Sequence, residues 1–245
     1  MSRELLSGGI AWHWHAWRSR QLWAPSVQFI STWLGNQCVH QKGDTLLLIG
    51  ASAGWMMSNQ WLCQFKEIKT YDLDPVAASL FRWNHGKTLS KKGIQLSCHT
   101  QDALVVLPQL LDQHPNSVVF FDNVLGQLRF TCSSLDATEK KLKKVRSDLI
   151  GRTWGSIHDR MSGPIGQTQT RHLLNSPLHT KGYLKEDSEI QTWLIQMNAK
   201  SPWLDHLTQD VFPEETPVEN MTWAFNQNYW HWLQMGWVHG ERCVP

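Results

Sequence analysis

Apolar and polar positions follow two different periods along this chain. Between Asp44 and Asp122, four short runs are apolar or alternate at strand spacing: Thr45-Leu46-Leu47-Leu48-Ile49, Ile68-Lys69-Thr70-Tyr71, Ile94-Gln95-Leu96-Ser97-Cys98 and Ser117-Val118-Val119-Phe120-Phe121. The first and last are almost continuously apolar, as a strand covered on both faces of a sheet must be. The intervening stretches carry apolar residues at helical spacing, from Trp55 to Phe65, from Pro75 through Phe81 and Trp83, and from Ala103 to Leu111. Pro75 suits a first helical turn, and Pro108 shortens or kinks the last of these helices. Strands alternating with helices form βαβ units, and right-handed crossovers restrict such units to a Rossmann-like arrangement. The expected fold class is therefore α/β, a mainly parallel sheet flanked by helices.

On either side of this core the pattern changes. Val27, Ile30, Trp33 and Leu34 predict a helix from about Pro25 to Cys38, preceded by a segment rich in Trp, His and Arg. Ser134 to Ile150 predicts a helix whose Lys140, Lys141, Lys143, Lys144 and Arg146 form a solvated face. Gly163 to Asp187 is polar and rich in turn residues, which suits a flap or insertion. Met221 to Val238 alternates around Asn226-Gln227-Asn228 and predicts a closing antiparallel hairpin. No repeat, low-complexity tract or linker divides the chain. Residues 1–245 are expected to form a single domain: a helical extension over 1–43, a ligand-binding core over 44–160, and a flap with the substrate-side part over 161–245.

Composition narrows the class. A formal net charge of +2 with 18% charged residues gives no basic surface of the kind a polyanion demands, so nucleic acid is not an expected partner. No apolar run approaches the roughly 18 residues that span a bilayer, and His13, His15, Arg18 and Arg20 interrupt the apolar residues near the N-terminus. Five widely spaced cysteines without a CxxC pair suit free thiols in a reducing compartment, and the expected location is the cytoplasm. The 15 tryptophans are unusual. Each can bury about 200 Å², so core and groove packing is their first use; an aromatic wall facing a cation is the second.

The turn after the first strand, Gly50-Ala51-Ser52-Ala53-Gly54, is built of small residues, which lets backbone N–H groups approach a ligand closely. Asp72 ends the second strand 22 positions after Gly50, close to the spacing at which an α/β nucleotide site places an acid on a ribose. A dinucleotide fingerprint, G-x-G-x-x-G, would need glycine at 52 and 55, where Ser and Trp stand. The ordered series Gly50 to Gly54, Tyr71-Asp72-Leu73-Asp74-Pro75, Gln101-Asp102-Ala103-Leu104 and Asp122-Asn123-Val124-Leu125 instead resembles the class I S-adenosylmethionine-dependent methyltransferases over roughly residues 44 to 130. It is similar to a bacterial methyltransferase-like branch with serine in this loop.

That resemblance implies S-adenosylmethionine as cofactor, methyl transfer to a small-molecule acceptor, and a cofactor set of Gly50, Ser52, Gly54, Asp72, Asp102 and Asp122. Asp72 would accept from the ribose hydroxyls through two free oxygens, Asp102 would lie near the adenine, and Asp122 and Asn123 would flank the reacting methyl. Two positions depart from the family pattern: Leu48 stands where many members carry an acid, and Ser52 replaces the middle glycine. Both leave a methyltransferase-like binding protein without catalysis as the alternative. Gly50-Ala51-Ser52-Ala53-Gly54 is also a literal G-x-S-x-G, so a serine hydrolase with His206 or His231 as base is a third reading.

Later in the chain, His158 with Asp159 is expected to provide a catalytic base and its orienting acid, with Asn123 beside them. Arg160, Asp205 and His206 are expected to bind the substrate. His13 and His15, at i,i+2 spacing on a strand, would face one side, yet no acid or cysteine beside them completes a metal site. Neither a metal nor a membrane is expected.

Overall fold

The structure, a computed structural model, describes residues 9–37, 44–166, 171–200 and 202–240. Cys38, Cys243 and the middle of the expected flap, 167–170, lie outside the described residues. The elements run α1 (Gly9–Gln37), β1 (Thr45–Ile49), α2 (Asn59–Leu62), β2 (Glu67–Asp72), α3 (Ala77–Phe81), a π-helical turn (Arg82–Gly86), α4 (Lys87–Lys91), β3 (Gln95–Thr100) and α5 (Leu107–Gln113). They continue with β4 (Val118–Asp122), α6 (Val124–Thr131), α7 (Leu135–Asp148), β5 (Trp154–Pro164), α8 (Arg171–Asn175), β6 (His179–Lys181), α9 (Asp187–Gln196), β7 (Leu204–Asp205), β8 (Val218–Ala224) and β9 (Tyr229–Val238).

The strands form a nine-stranded sheet in the order β3-β2-β1-β4-β5-β9-β8-β6, with β7 pairing to β5 off this path. The first five are parallel. β9 then enters antiparallel to β5 and carries β8 with it. The expected α/β class and the closing hairpin are both observed, and the parallel half has the strand order of a Rossmann-like sheet, reversing between β1 and β4.

Burial follows the two-residue period of a pleated strand. Leu46 and Leu48 of β1 face one core, with Trp61, Phe81, Phe120 and the inward residues of α1. Leu47 and Ile49 face the other, with Phe121, Leu125 and Leu128 of α6, and Leu142 and Val145 of α7. The lysines of α7 lie on its outer side as expected, apart from Lys141, which reaches Asp102 at 4.0 Å.

Two expectations are corrected. The N-terminal helix begins at Gly9 rather than Pro25 and carries Pro25 in its interior. A proline there removes one helical hydrogen bond. Packing offsets the loss: Trp23, Ile30, Trp33 and Leu34 are buried, and the Trp23 indole N–H donates to the Phe225 carbonyl at 3.1 Å. His13 and His15 therefore do not share a strand face. Second, the stretch from Trp55 to Phe65 shrinks to the single turn α2, because residues 50–58 are drawn into a loop around the end of β1. A helix without a sequence expectation, α6, follows β4 directly. Asn123, in the left-handed region at φ 58°, makes the turn without any intervening loop sequence to signal it.

The start of α1 is held by one buried contact. Asp74 Oδ2 accepts from the Gly9 backbone N–H at 2.6 Å and pairs with His13 Nε2 at 3.0 Å. The Trp55 indole donates to His13 Nδ1 at 3.2 Å, which leaves the imidazole proton on Nε2, directed at Asp74. Replacing His13 by Ala is expected to cost about 1–3 kcal/mol, since the Asp74 carboxylate then loses a buried partner. Chemical denaturation measures the loss, and limited proteolysis should show earlier cleavage within residues 9–24.

Candidate functional site

A cavity of about 530 Å³ opens at the carboxyl ends of the parallel strands, the edge at which open α/β sheets bind ligands. Its shape begins with the glycine turn after β1. Gly50 sits at φ +74°, and a Cβ there would lie 2.9 Å from the Asp122 carbonyl and collide with Val124. The close approach of β1 and β4 thus requires glycine. Ser52 also has a left-handed backbone, φ 47°, a strained conformation for a residue with a Cβ. It is stabilised from the neighbouring strand: Asp72 Oδ2 accepts the Ser52 N–H at 2.7 Å.

Asp72 Oδ1 accepts the Asp74 N–H at 2.8 Å. Both oxygens expected to be free are therefore already engaged by backbone, and each keeps one further lone pair for a ligand. Burial pushes the Asp72 carboxyl above the usual range, against the pull of these two N–H groups. Asp102 lies on the same cavity, with Oδ1 taken by the Leu104 N–H at 3.0 Å. Asp122 differs from both: among the described residues its carboxyl has no hydrogen-bond partner. Burial, and then the charge of Asp72, push it up to about 7.

Gly50, Ser52, Asp72, Asp102, Asp122 and Asn123 all line this one cavity. Gly54 does not. It packs behind the wall, where a Cβ would meet Phe81 at 2.9 Å, and its carbonyl faces His85 Nε2 at 3.1 Å. The π-helical turn brings His85 and Asn84 under the loop, and the Asn84 amide donates to the Ala53 carbonyl at 2.7 Å. Such turns recur where side chains must be aimed at a site, and neither residue carries a sequence signal of this role.

The aromatic part of the wall was anonymous in the sequence. Trp12 and Trp23 of α1, Trp55 after the loop, and Trp223 of β8 line the cavity with Met56, Ile157 and Leu233. Three of the four indole N–H groups are turned to protein: Trp12 donates to Ser52 Oγ at 3.3 Å, Trp23 to the Phe225 carbonyl and Trp55 to His13, while that of Trp223 has no partner among the described residues. The cavity is therefore acidic at the sheet edge and walled by aromatic rings, with Trp12 joined to the acidic edge through Ser52.

Apart from Asn123, the expected catalytic and substrate residues lie elsewhere. His158 is fully buried, bonded to Ser156 Oγ at 2.9 Å and stacked on Phe212. Burial depresses it to about 4. Asp159 is also fully buried. Burial alone would raise its carboxyl, but His231 at 2.7 Å and the Asn123 amide at 2.9 Å hold it down at about 2. Asn123 gives its other amide atom to the Asp159 N–H, so it reaches the cavity with both polar atoms committed. Arg160 is buried against Asp205 and Gln209. His206 bridges the Gly126 carbonyl, 2.8 Å, and Ser162 Oγ, 2.9 Å. None of His158, Asp159, Arg160, Asp205 and His206 lines the cavity. His158 to Ser162 belong to β5 itself, beyond the Trp154 to Ile157 stretch that pairs with β4, and they are flanked by β9 and, at Met161 and Ser162, by β7.

Comparison with known proteins gives little beyond this geometry. No protein-family model matches the chain, and neither does any curated protein. Among solved structures, it aligns with magnesium protoporphyrin IX methyltransferase from Synechocystis PCC 6803 with bound SAH, at 12% identity over 91% of this chain and 94% of that one, TM-score 0.47. It also aligns with N-methyltransferase NodS from Bradyrhizobium japonicum WM9 in complex with S-adenosyl-L-homocysteine, at 12% identity over 84% of each chain, TM-score 0.41. A third is phosphoethanolamine N-methyltransferase 2 from Haemonchus contortus, at 13% identity over 85% of this chain and 51% of that one, TM-score 0.44.

Asp122 makes stability depend on pH in a direction opposite to most carboxylates. An unfolded aspartate loses its proton near pH 4, whereas in the fold it is retained up to about 7. Between these values the native state binds more protons, so its contribution to stability falls as pH rises and levels off above 7. Asp122→Asn, neutral throughout, is expected to remove this fall and to melt at a higher temperature than the parent protein at pH 8. Thermal melts at pH 5, 6, 7 and 8 check it; identical pH profiles for the two proteins would rule it out.

Proposed function

We propose that the chain binds S-adenosylmethionine in this cavity and transfers its methyl group to a small-molecule acceptor, in the cytoplasm. One observation carries the reading: Asp72, Asp102 and Asp122, from the ends of three parallel strands, converge with the Gly50 to Ser52 backbone on a single cavity. A cationic nucleoside with ribose hydroxyls fits such an edge. The remaining lone pairs of Asp72 suit the hydroxyls, the Asp102 turn suits a base, and unpaired Asp122 suits a nearby positive charge. Trp12, fixed to Ser52 Oγ, offers a ring face at the same place, where cation–π attraction favours a sulfonium.

The donor would supply an already electrophilic methyl carbon, so the protein's part is to position and desolvate. The Gly50 to Ser52 turn and Asp72 hold one end, and α1 covers the cavity through Trp12 and Trp23. Unbridged Cys63, Cys98 and Cys132 suit a reducing compartment. Among the described residues, no helix is long and apolar enough to cross a membrane.

Hydrolase chemistry at Ser52 lacks its partner. The Ser52 hydroxyl accepts from an indole, while His206 and His231 are bonded to the Gly126 carbonyl and to Asp159. The binding protein without catalysis shares the same cavity and differs only in the fate of the methyl group.

S-Adenosylmethionine and S-adenosylhomocysteine are each expected to bind at micromolar levels. Asp72→Ala should weaken both by about 1.5–3 kcal/mol, the worth of a hydrogen bond to a charged group. Titration calorimetry decides this, and absence of binding by both ligands at millimolar concentration sinks the cofactor assignment.

A further inference from the structure

We propose that Asp122 is the proton acceptor of this site, and that the methyl acceptor it serves is a flat, apolar compound bearing an ionisable O–H or N–H. The inference rests on the methyl-donor reading above and deepens it.

The cavity has two unlike halves. At the sheet edge, Asp72 and Asp102 spend their carboxylates on backbone N–H groups, of Ser52 and Asp74 for the first and of Leu104 for the second. Asp122 lines the same cavity and spends its carboxyl on nothing among the described residues. A partly buried carboxyl that faces a cavity without a protein donor is open to a donor on a ligand. Its surroundings are otherwise uncharged: Gly50 at the end of β1, Ile157 paired to it on β5, Val124 and Gln127 on α6. Asp72 is the charged neighbour that acts on it, and Lys141, the cation that lines the cavity, lies 4.0 Å from Asp102. A carboxyl held near neutrality is poised to take a proton and return it to water.

The other half selects the acceptor. Trp12, Trp23 and Trp55 direct their indole N–H groups to Ser52, Phe225 and His13, so they offer the cavity faces and edges of rings without a free donor. Leu233 and Trp223 complete this wall, the Trp223 indole N–H being the one of these four tryptophans' without a hydrogen-bond partner among the described residues. Flat apolar or aromatic compounds gain most from such a surface. Sugars and phosphates would leave their polar groups unpaired there.

The step balances without a further reactant. The acceptor oxygen or nitrogen forms a bond to the methyl carbon, the sulfur–carbon bond breaks with its electron pair remaining on sulfur, and the acceptor's proton moves to an Asp122 carboxylate oxygen. No atom is oxidised or reduced.

The test uses 2-naphthol as probe and 2-methoxynaphthalene, its ether without a proton, as control, each titrated by tryptophan fluorescence with S-adenosylhomocysteine present. Both should bind saturably. The affinity for 2-naphthol should rise through pH 7, as Asp122 ionises and accepts the hydroxyl, and should be about tenfold weaker and independent of pH in Asp122→Asn. The ether should bind both proteins equally at every pH, and Asp122→Glu should restore the pH dependence for naphthol. Failure of both naphthalenes to bind overturns the aromatic acceptor. Equal naphthol affinity in the parent protein and Asp122→Asn overturns the role of Asp122. If calorimetry shows that S-adenosylhomocysteine does not bind, the donor reading fails instead, and naphthol titration of the ligand-free protein still decides whether Asp122 takes the hydroxyl.

Discussion

The carboxylate of Asp72 ties together the pieces of chain on which the cavity depends. One oxygen holds Ser52 in a left-handed backbone that a residue with a Cβ adopts only at a cost, and so fixes the loop after β1. The other fixes the turn at Asp74, whose own carboxylate anchors Gly9 and His13 and thereby the first turn of α1. The loop, the turn and the covering helix are separated in sequence but share this one chain of hydrogen bonds. Ser52 returns the connection, since its hydroxyl accepts from Trp12 on the same helix. Losing the Asp72 carboxylate would therefore loosen the cavity as well as remove a ligand contact.

Two requirements conflict at the sheet edge, and the placement of the tryptophans reconciles them. Asp72 raises the proton affinity of Asp122 across the cavity, and a cation or a proton relieves that pair. Asp72 and Asp102 are stabilised by backbone donors. Asp122, with none, retains its proton to about 7. The tryptophans that line the cavity supply no competing cation. Negative charge and aromatic rings around one cavity favour the same kind of guest, a compact cation beside a flat apolar body.

How much of this was legible follows from the kind of signal each part leaves. The βαβ core was readable because Leu46 to Ile49 and Val118 to Phe121 are buried on both faces and so are apolar at every position. The acids were readable because strand ends in a parallel sheet meet at one edge, whatever the sequence distance. The N-terminal half of α1 was not: tryptophan and histidine have middling helix propensity and Pro25 signals a boundary, while the contacts that hold this half, to Asp74 and Phe225, lie 65 and 202 residues away. Single tryptophans could not be assigned to the cavity for the same reason. The polar run Ser156-Ile157-His158-Asp159-Arg160 misled, since polar residues usually mark a loop, and here they occupy a central strand.

That buried polar row explains how the two halves of the sheet stay aligned. β5 is the seam where parallel pairing with β4 gives way to antiparallel pairing with β9, and its register shifts between Asp159 and Met161. An apolar seam could slip by one residue at modest cost. Here a slip would separate Asp159 from His231 and Asn123, His206 from Ser162 and the Gly126 carbonyl, and Arg160 from Asp205. Each break leaves a buried polar or charged group unpaired, which costs far more than a displaced methyl group. Trp223 and Leu233 reach the cavity from β8 and β9, beyond this seam. The histidines and acids that look catalytic in the sequence thus serve the site from behind its wall, by fixing how far the aromatic half stands from the acidic edge.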